Sequence, residues 1–320
     1  MQLTAFARWC KMPVYNWATN VALAWKRGNK MKKENKARWM LMGSMAIFGT
    51  LAPFVRRIGL TSGELALYRA VMAASLIAVF LLVTKQKIPL AAIKKEIPLL
   101  LLSGMAMGFN WILLFQAYKF TTVSVATLSY YFAPVIVTVL CPILFRERLT
   151  KKQVICFVMS TAGLVLITGI GDLSGGSSHL TGILFGLGAA ALYATVIMLN
   201  KFIKNVEGIH RTFLQFLSAI VVLVPYVLLT PRSGLGVLDG IGWGSLLVVG
   251  FIHTGVTYCL YFSSLKELPG QKAAILSYID PLVAVLISVT VLNESMNIWQ
   301  IVGGLLILGF TLWNELGSKG

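Results

Sequence analysis

From Ile97 to Tyr118 the chain runs without one charged side chain. A stretch of about 20 mostly apolar residues is what a bilayer span requires. No water is present in the hydrocarbon to satisfy backbone N–H and C=O groups, so such a stretch has to be helical. A membrane β-barrel would show alternating segments of about 10 residues, and the sequence has none. Similar runs recur down the chain, and only 12% of the 320 residues are charged, against about a quarter in soluble proteins. The pattern predicts an all-α membrane protein with spans near 39–55, 63–84, 97–118, 121–145, 151–170, 180–200, 211–229, 241–262, 271–292 and 297–316. The first span looks short and could extend past Pro53 toward Arg56 and Arg57. Pro134 and Pro142 interrupt the long fourth span.

The net charge of +17 invites a nucleic-acid reading, and charge placement argues against it. Ten spans put both termini on one side. With that side cytoplasmic, all but five of the 28 basic residues fall in inner segments; Arg56, Arg57, Lys119 and Arg232 fall outside and Arg69 lies within a span. This is the bias that orients membrane proteins, and it predicts cytoplasmic termini in the cell (plasma) membrane. Residues 1–38 read as a basic cytoplasmic leader, with Trp9, Trp17 and Trp25 spaced at eight. The leader has no apolar core before a cleavage site, so it is not a secretory signal. It reads either as an amphipathic segment on the anionic inner leaflet or as sequence ahead of a true start at Met31, the reading preferred here. Cys10, Cys141, Cys156 and Cys259 lack metal-type spacing, and the last three read as small packing residues.

The chain also repeats itself. An offset of 147 residues maps Pro134 in Tyr131-Phe-Ala-Pro onto Pro281 in Tyr278-Ile-Asp-Pro. The same offset maps Gly108 to Gly255, Phe115 to Phe262, Lys119 to Lys266, Ala126 to Ala273, Glu147 to Glu294 and Gln153 to Gln300. Near the start of each half the offset is 145, taking Gly43 to Gly188 and Thr50 to Thr195. Residues 39–170 and 180–316 then form two five-span halves, joined by an external linker at 171–179 rich in Gly and Ser. Five is odd, so the second half is inverted relative to the first, an architecture that puts a transporter's site near midplane between the halves.

The segment Ala117-Tyr…Ala126…Tyr131-Phe-Ala-Pro134…Glu147-Arg-Leu-Thr…Gln153 resembles the EamA domain of the drug/metabolite transporter superfamily. So does Leu268-Pro-Gly…Ala273-Ala-Ile-Leu-Ser-Tyr278…Pro281…Asn293-Glu294…Gln300…Gly303. The resemblance covers about residues 35–316. It implies a ten-helix secondary transporter of small organic solutes, often an exporter, and the family also tends to carry Arg at the position of Arg69. The Gly that usually precedes the family's Glu is replaced by Phe145-Arg146 in one half and Leu292-Asn293 in the other.

Several residues could carry chemistry. Pro134 and Pro281 free the carbonyls of Tyr130 and Ser277, as hinges, as ligand groups or as packing kinks. Arg69, about five residues into its span, could hold a carboxylate or phosphate, or pair with Glu64 about one turn away. Asp280 lies near the middle of the ninth span, and its repeat mate is Ala133. An ionised carboxylate there costs at least ~2.5–3.5 kcal/mol, so it is the candidate coupling group for a proton or cation. His253 reads as a hydrogen-bonded packing residue, and Glu147 and Glu294 as caps at span ends. Asn110, Trp111, Tyr131, Tyr258 and Tyr278, with Gln116, Tyr130 and Tyr261, could line a semi-polar pocket. Gly104-x-x-x-Gly108 and Gly182-x-x-x-Gly186 read as helix-packing notches.

No HExxH, GxxxxGK[ST] or GxSxG motif is present. The expectation is a secondary active exporter of small organic metabolites such as amino acids, not an enzyme, with no cofactor or metal. Its partners are a small-molecule substrate and the lipid bilayer, with no nucleic acid. The alternatives are a non-transporting membrane sensor or structural protein, and a lipid-acting membrane enzyme. Topology tests the frame: a cysteine at Gly175 should react with an impermeant maleimide from outside, and cysteines at Lys95 and Lys204 only after permeabilisation. Labelling of Gly175→Cys from the inside would contradict the inverted repeat.

Overall fold

The computed structural model describes residues 33–86, 88, 93–145, 150–167, 176–206, 208–265, 267, 268 and 270–317. Most of the leader, most of the linker, and Glu147 lie outside the described residues. Those described form helices and connecting turns, with no strand among them. The helices are α1 (Lys33–Arg57), α2 (Ser62–Val83), α3 (Ile97–Phe120), α4 (Val123–Tyr130), α5 (Ala133–Phe145), α6 (Lys151–Ile167), α7 (Gly176–Asn200), α8 (Gly208–Leu229), α9 (Gly240–Leu265), α10 (Gly270–Ser277), α11 (Ile279–Thr290) and α12 (Ile298–Gly317). Seven helices among the described residues are long and apolar enough to cross a membrane: α1, α2, α3 with its short lead-in, the stretch Val123–Leu140, α7, α8 and α9. Two shorter apolar helices, Ile275–Thr290 and Ile298–Asn314, accompany them. The first helix does continue through Pro53 to Arg57, with a turn at Thr50.

Helix starts follow capping chemistry written in the sequence. Thr61 and Glu64 form a reciprocal capping box at α2, and Thr122 caps α4 through the Val125 N–H. At α6, the Thr150 N–H donates to Gln153 Oε1 at 2.8 Å while the Gln153 N–H donates to Thr150 Oγ1 at 3.2 Å. At α12, Asn297 and Gln300 exchange the same two bonds at 3.1 and 2.8 Å. These two caps sit one repeat offset apart.

The core lies where α2, α3, α8 and α9 pack together, with Phe115, Phe216, Leu65, Ile77 and Leu223 fully buried. α7 lies along α3, α4 and α5, and α12 along α6. Small residues let these helices approach. A Cβ on Gly108 would meet Leu223 at 3.1 Å, and a Cβ on Gly255 would meet Leu76 at 3.0 Å. All four positions are related by the offset of 147, so the two contacts exchange when the halves exchange. Gly163 of α6 backs directly onto Gly303 of α12, where an added Cβ would stand 2.6 Å from the Gly303 carbonyl oxygen.

The α9 helix departs from α geometry. Its nine central residues, Val248–Val256, form a π-helix. Side chains stitch the wider turns. Thr254 Oγ1 donates to the Val249 carbonyl at 2.8 Å, and Thr257 Oγ1 to the Ile252 carbonyl at 2.7 Å, each five residues back. π-helical turns are rare and concentrate at functional sites.

The α6–α12 crossing gives a test of packing. Gly163→Leu and Gly303→Leu should each lower the melting temperature of the purified protein in detergent, since overpacking typically costs about 1–3 kcal/mol. Gly309→Leu should not, because among the described residues no atom of another helix lies within 4 Å of its added Cβ. Equal melting of all three proteins would remove the close crossing.

Candidate functional site

Arg69 lies in α2 and is only 3% exposed. Its Nε donates to Thr254 Oγ1 of the π-helical stretch at 2.6 Å. Its guanidinium carbon sits 4.6 Å from the Trp111 ring centroid and 5.6 Å from that of Phe115. Among the described residues it makes no ion pair. Glu64 is engaged elsewhere. Its carboxylate accepts from the Thr61 N–H and hydroxyl and from the Ser233 and Gly234 N–H groups, at 2.8 to 3.1 Å. Hydrogen bonds to a charge contribute about 1.5–3 kcal/mol each, so these four outweigh one helix-surface pairing with Arg69. A desolvated cation–π contact gives about 2 kcal/mol, comparable with the ~2.5–3.5 kcal/mol that a mid-span Arg costs on insertion scales. The charge is therefore tolerable where it is, and its Nη donors keep capacity for another acceptor.

Asp280 is the charge contributed by the second half, at a position whose repeat mate is Ala133. Its Oδ2 accepts from the Tyr131 hydroxyl at 2.7 Å, and among the described residues it has no basic partner. The backbone of α1 reaches its carbonyl because residue 49 is glycine: a Cβ there would lie 2.6 Å from the Asp280 carbonyl oxygen. Aromatic rings fill the region around the two charges. Trp111, Phe216, Tyr258 and Phe48 form a series of edge-to-face contacts with centroids 5.3 Å apart. Tyr131 packs on Tyr130 and Tyr130 on Tyr193, at 6.0 and 5.5 Å. Tyr258 lies within electrostatic reach of both Arg69 and Asp280.

The fold thus gathers Arg69 with Trp111, and Tyr131 with Asp280, and Tyr258 joins the first group through Phe216. Asn110 is buried and donates to the Ala189 carbonyl of α7 at 2.6 Å, a helix–helix tie. Tyr278 is buried where α10 gives way to α11. The helical run of the first half is interrupted at Tyr131–Phe132 and that of the second at Tyr278, one repeat offset apart and just ahead of Pro134 and Pro281. His253 takes the packing role expected of it, with Nε2 3.0 Å from Thr50 Oγ1 and Nδ1 3.3 Å from the Val248 carbonyl oxygen. Glu294 caps α4 by accepting from the Val123 N–H at 2.8 Å. It also pairs with Arg56 at 2.5 Å, a partnership that sequence reading did not anticipate. Thr254 and Phe216 were missed as well; each is an ordinary residue of an apolar helix until the fold sets it against Arg69 or Trp111.

Comparison with known proteins places this arrangement. Residues 35–169 and 180–314 each match the EamA-like transporter family. A Bacillus subtilis (strain 168) protein named as the uncharacterized transporter YxxF is 30% identical over 281 residues, which cover 86% of this chain and 88% of that one. An uncharacterized transporter of Archaeoglobus fulgidus is 30% identical over 203 residues, 62% of this chain and 70% of that protein. A solved crystal structure shares the fold with a TM-score of 0.59 at 15% identity, covering 87% of this chain and 96% of that one. The chain belongs to the EamA-like transporter family and is an integral membrane protein.

Proposed function

We propose that this member of the EamA-like transporter family is a secondary active transporter of small organic metabolites, amino-acid-like solutes among them, and works as an exporter. It has ten spans as two inverted five-helix repeats, with both termini cytoplasmic in the plasma membrane. The repeat offset of 147 that relates helix breaks, caps and the Gly108–Leu223 and Gly255–Leu76 contacts supports the two-fold reading. The observation that carries the functional reading is Arg69, buried and without a carboxylate partner among the described residues.

The mechanism follows from those charges. The planar fork of Arg69 offers its Nη donors to a carboxylate or phosphate of the solute. Trp111, Tyr258 and the neighbouring rings supply apolar surface for the remainder. Asp280 holds a proton or a cation during one part of the cycle and releases it in the other, because among the described residues Tyr131 is the one side chain that hydrogen-bonds its carboxylate. The breaks at Tyr131–Phe132 and Tyr278, with Pro134 and Pro281, let α4–α5 and α10–α11 bend as the halves rock. Asn110 and Tyr278 fix the walls of the pathway.

Proteoliposome flux against a panel of metabolites tests the reading and names the solute. Arg69→Lys should weaken solute affinity by about tenfold or more, as a compact ammonium cannot reproduce two parallel bonds. Equal affinity would return Arg69 to packing. Asp280→Asn keeps size and hydrogen bonding, and should still exchange solute across the membrane but no longer accumulate it against a gradient. Accumulation equal to the parent would exclude coupling through Asp280.

A further inference from the structure

The Arg56–Glu294 pair is, among the described residues, the ion pair that joins the two family repeats; Arg38 and Glu34 pair within one helix. It lies away from the central charges, at the end of the bundle where α1, α3 and α11 finish and α4 begins. Every polar group of the pair is used across an element boundary. Arg56 Nη1 meets Glu294 Oε1 at 2.5 Å, Nε donates to the Tyr118 carbonyl at 3.1 Å, and Nη2 donates to the Thr121 carbonyl at 2.9 Å. The other oxygen of Glu294 accepts from the Val123 N–H and the Ser288 hydroxyl. Four helix ends are tied by two side chains.

Local backbone chemistry aims Glu294 at this point. Asn293 takes a left-handed conformation, with φ of 53°. This is the conformation glycine usually supplies after a helix, and glycine is what the family pattern has before its Glu. The reversal lets the Glu294 N–H donate to the Ser288 carbonyl at 3.0 Å, so the side chain folds back over the end of α11. The charges are also matched to helix ends. The cation faces the last carbonyls of α3, and the anion faces the first N–H of α4.

The pair can come apart at low cost. The Arg56 side chain is 30% exposed and that of Glu294 11%. Both line a cleft of about 320 Å3, together with Lys119, Thr121, Thr122 and His179. Water can therefore rehydrate each ion as they separate, and a partly exposed pair contributes only up to about 1 kcal/mol. A fully buried pair would cost several times more to break. A cross-repeat tie that is specific in geometry yet weak in energy suits a contact made and broken once per cycle.

We infer that Arg56 and Glu294 form the latch of the outward end: paired, they hold the second repeat against the α3–α4 corner and close that end, and their parting precedes its opening. The latch rests on the rocking of the two halves proposed above, but its test needs no solute, so it can fail while the transport reading stands. Ser124 is the reporter. It sits in the first turn of α4, where its N–H donates to Ser288 Oγ at 3.3 Å, and its own hydroxyl is buried with no hydrogen-bond partner among the described residues. Cysteine at Ser124, in a background with Cys10, Cys141, Cys156 and Cys259 replaced by alanine, is labelled with an impermeant maleimide in sealed right-side-out vesicles. Glu294→Gln and Arg56→Gln should each raise the labelling rate about threefold to fivefold, the shift expected when a partly exposed pair is lost. A rise in only one variant marks a helix cap instead of a pair and overturns the latch, as does no rise in either. Should either variant fail to insert, cysteines at positions 56 and 294 bridged by a short bifunctional thiol reagent replace it, with the bridge formed before maleimide is added. Slower labelling of Ser124→Cys with the bridge than without supports the latch, and an equal rate overturns it.

Discussion

A bilayer leaves a backbone no solvent to fall back on. Each N–H and C=O within the hydrocarbon has to be satisfied by the protein. Under that condition regular helix is the default, and any departure from it is costly unless something fills the gap. The departures here are few and they converge. The breaks at Tyr131–Phe132 and Tyr278, and the π-helical turns of α9, all border the region that holds Arg69 and Asp280. The π-helical turns carry their own remedy, hydroxyls of Thr254 and Thr257 returning to carbonyls five residues back. The same Thr254 oxygen then serves Arg69, so local repair and the placement of a charge use one side chain.

Much of this was readable in the chain. Uncharged runs gave the helices, and proline in a repeated Tyr-x-x-Pro setting marked where two of them break. Gln153 and its mate Gln300 were legible as a repeated pair, though their capping role, like that of Thr61 with Glu64, emerged only with the fold. The small-residue notch at Gly104 and Gly108 packs against α8, as its spacing foretold. Other features had no local signature. Val248–Val256 is an apolar run like its neighbours, and nothing in it distinguishes five residues per bond from four. The Arg56–Glu294 pair unites residues from opposite ends of the chain. Sequence spacing offered Arg69 a partner one turn away in Glu64, but spacing cannot weigh that contact against four donors that arrive from other segments.

The two repeats have kept their frame and parted in their chemistry. Where the first half has Ala133, Met107 and α-helical turns, the second has Asp280, Thr254 and π-helical turns. The first half contributes the cation, Arg69, and the second the anion, and each leans on the other half for its hydrogen bond: Arg69 on Thr254, Asp280 on Tyr131. In the cycle proposed above, relative motion of the repeats would change the surroundings of both charges at once. Such coupling would need no conduit of intervening residues, since the charges bond across the boundary between the repeats.

The crossing of Gly163 on Gly303 bears on how the protein is made. Its two helices are separated by most of the second repeat, so α6 leaves the ribosome well before its partner exists. At a synthesis rate of about 5–20 residues per second the interval is roughly 7 to 28 seconds. During that time the groove at Gly163 faces lipid or a borrowed neighbour, and the first repeat is held by fewer contacts than it will finally have. Completion of α12 is thus the event that fills the groove at Gly163, and a chain truncated before Ile298 would be released with α6 still lacking its match.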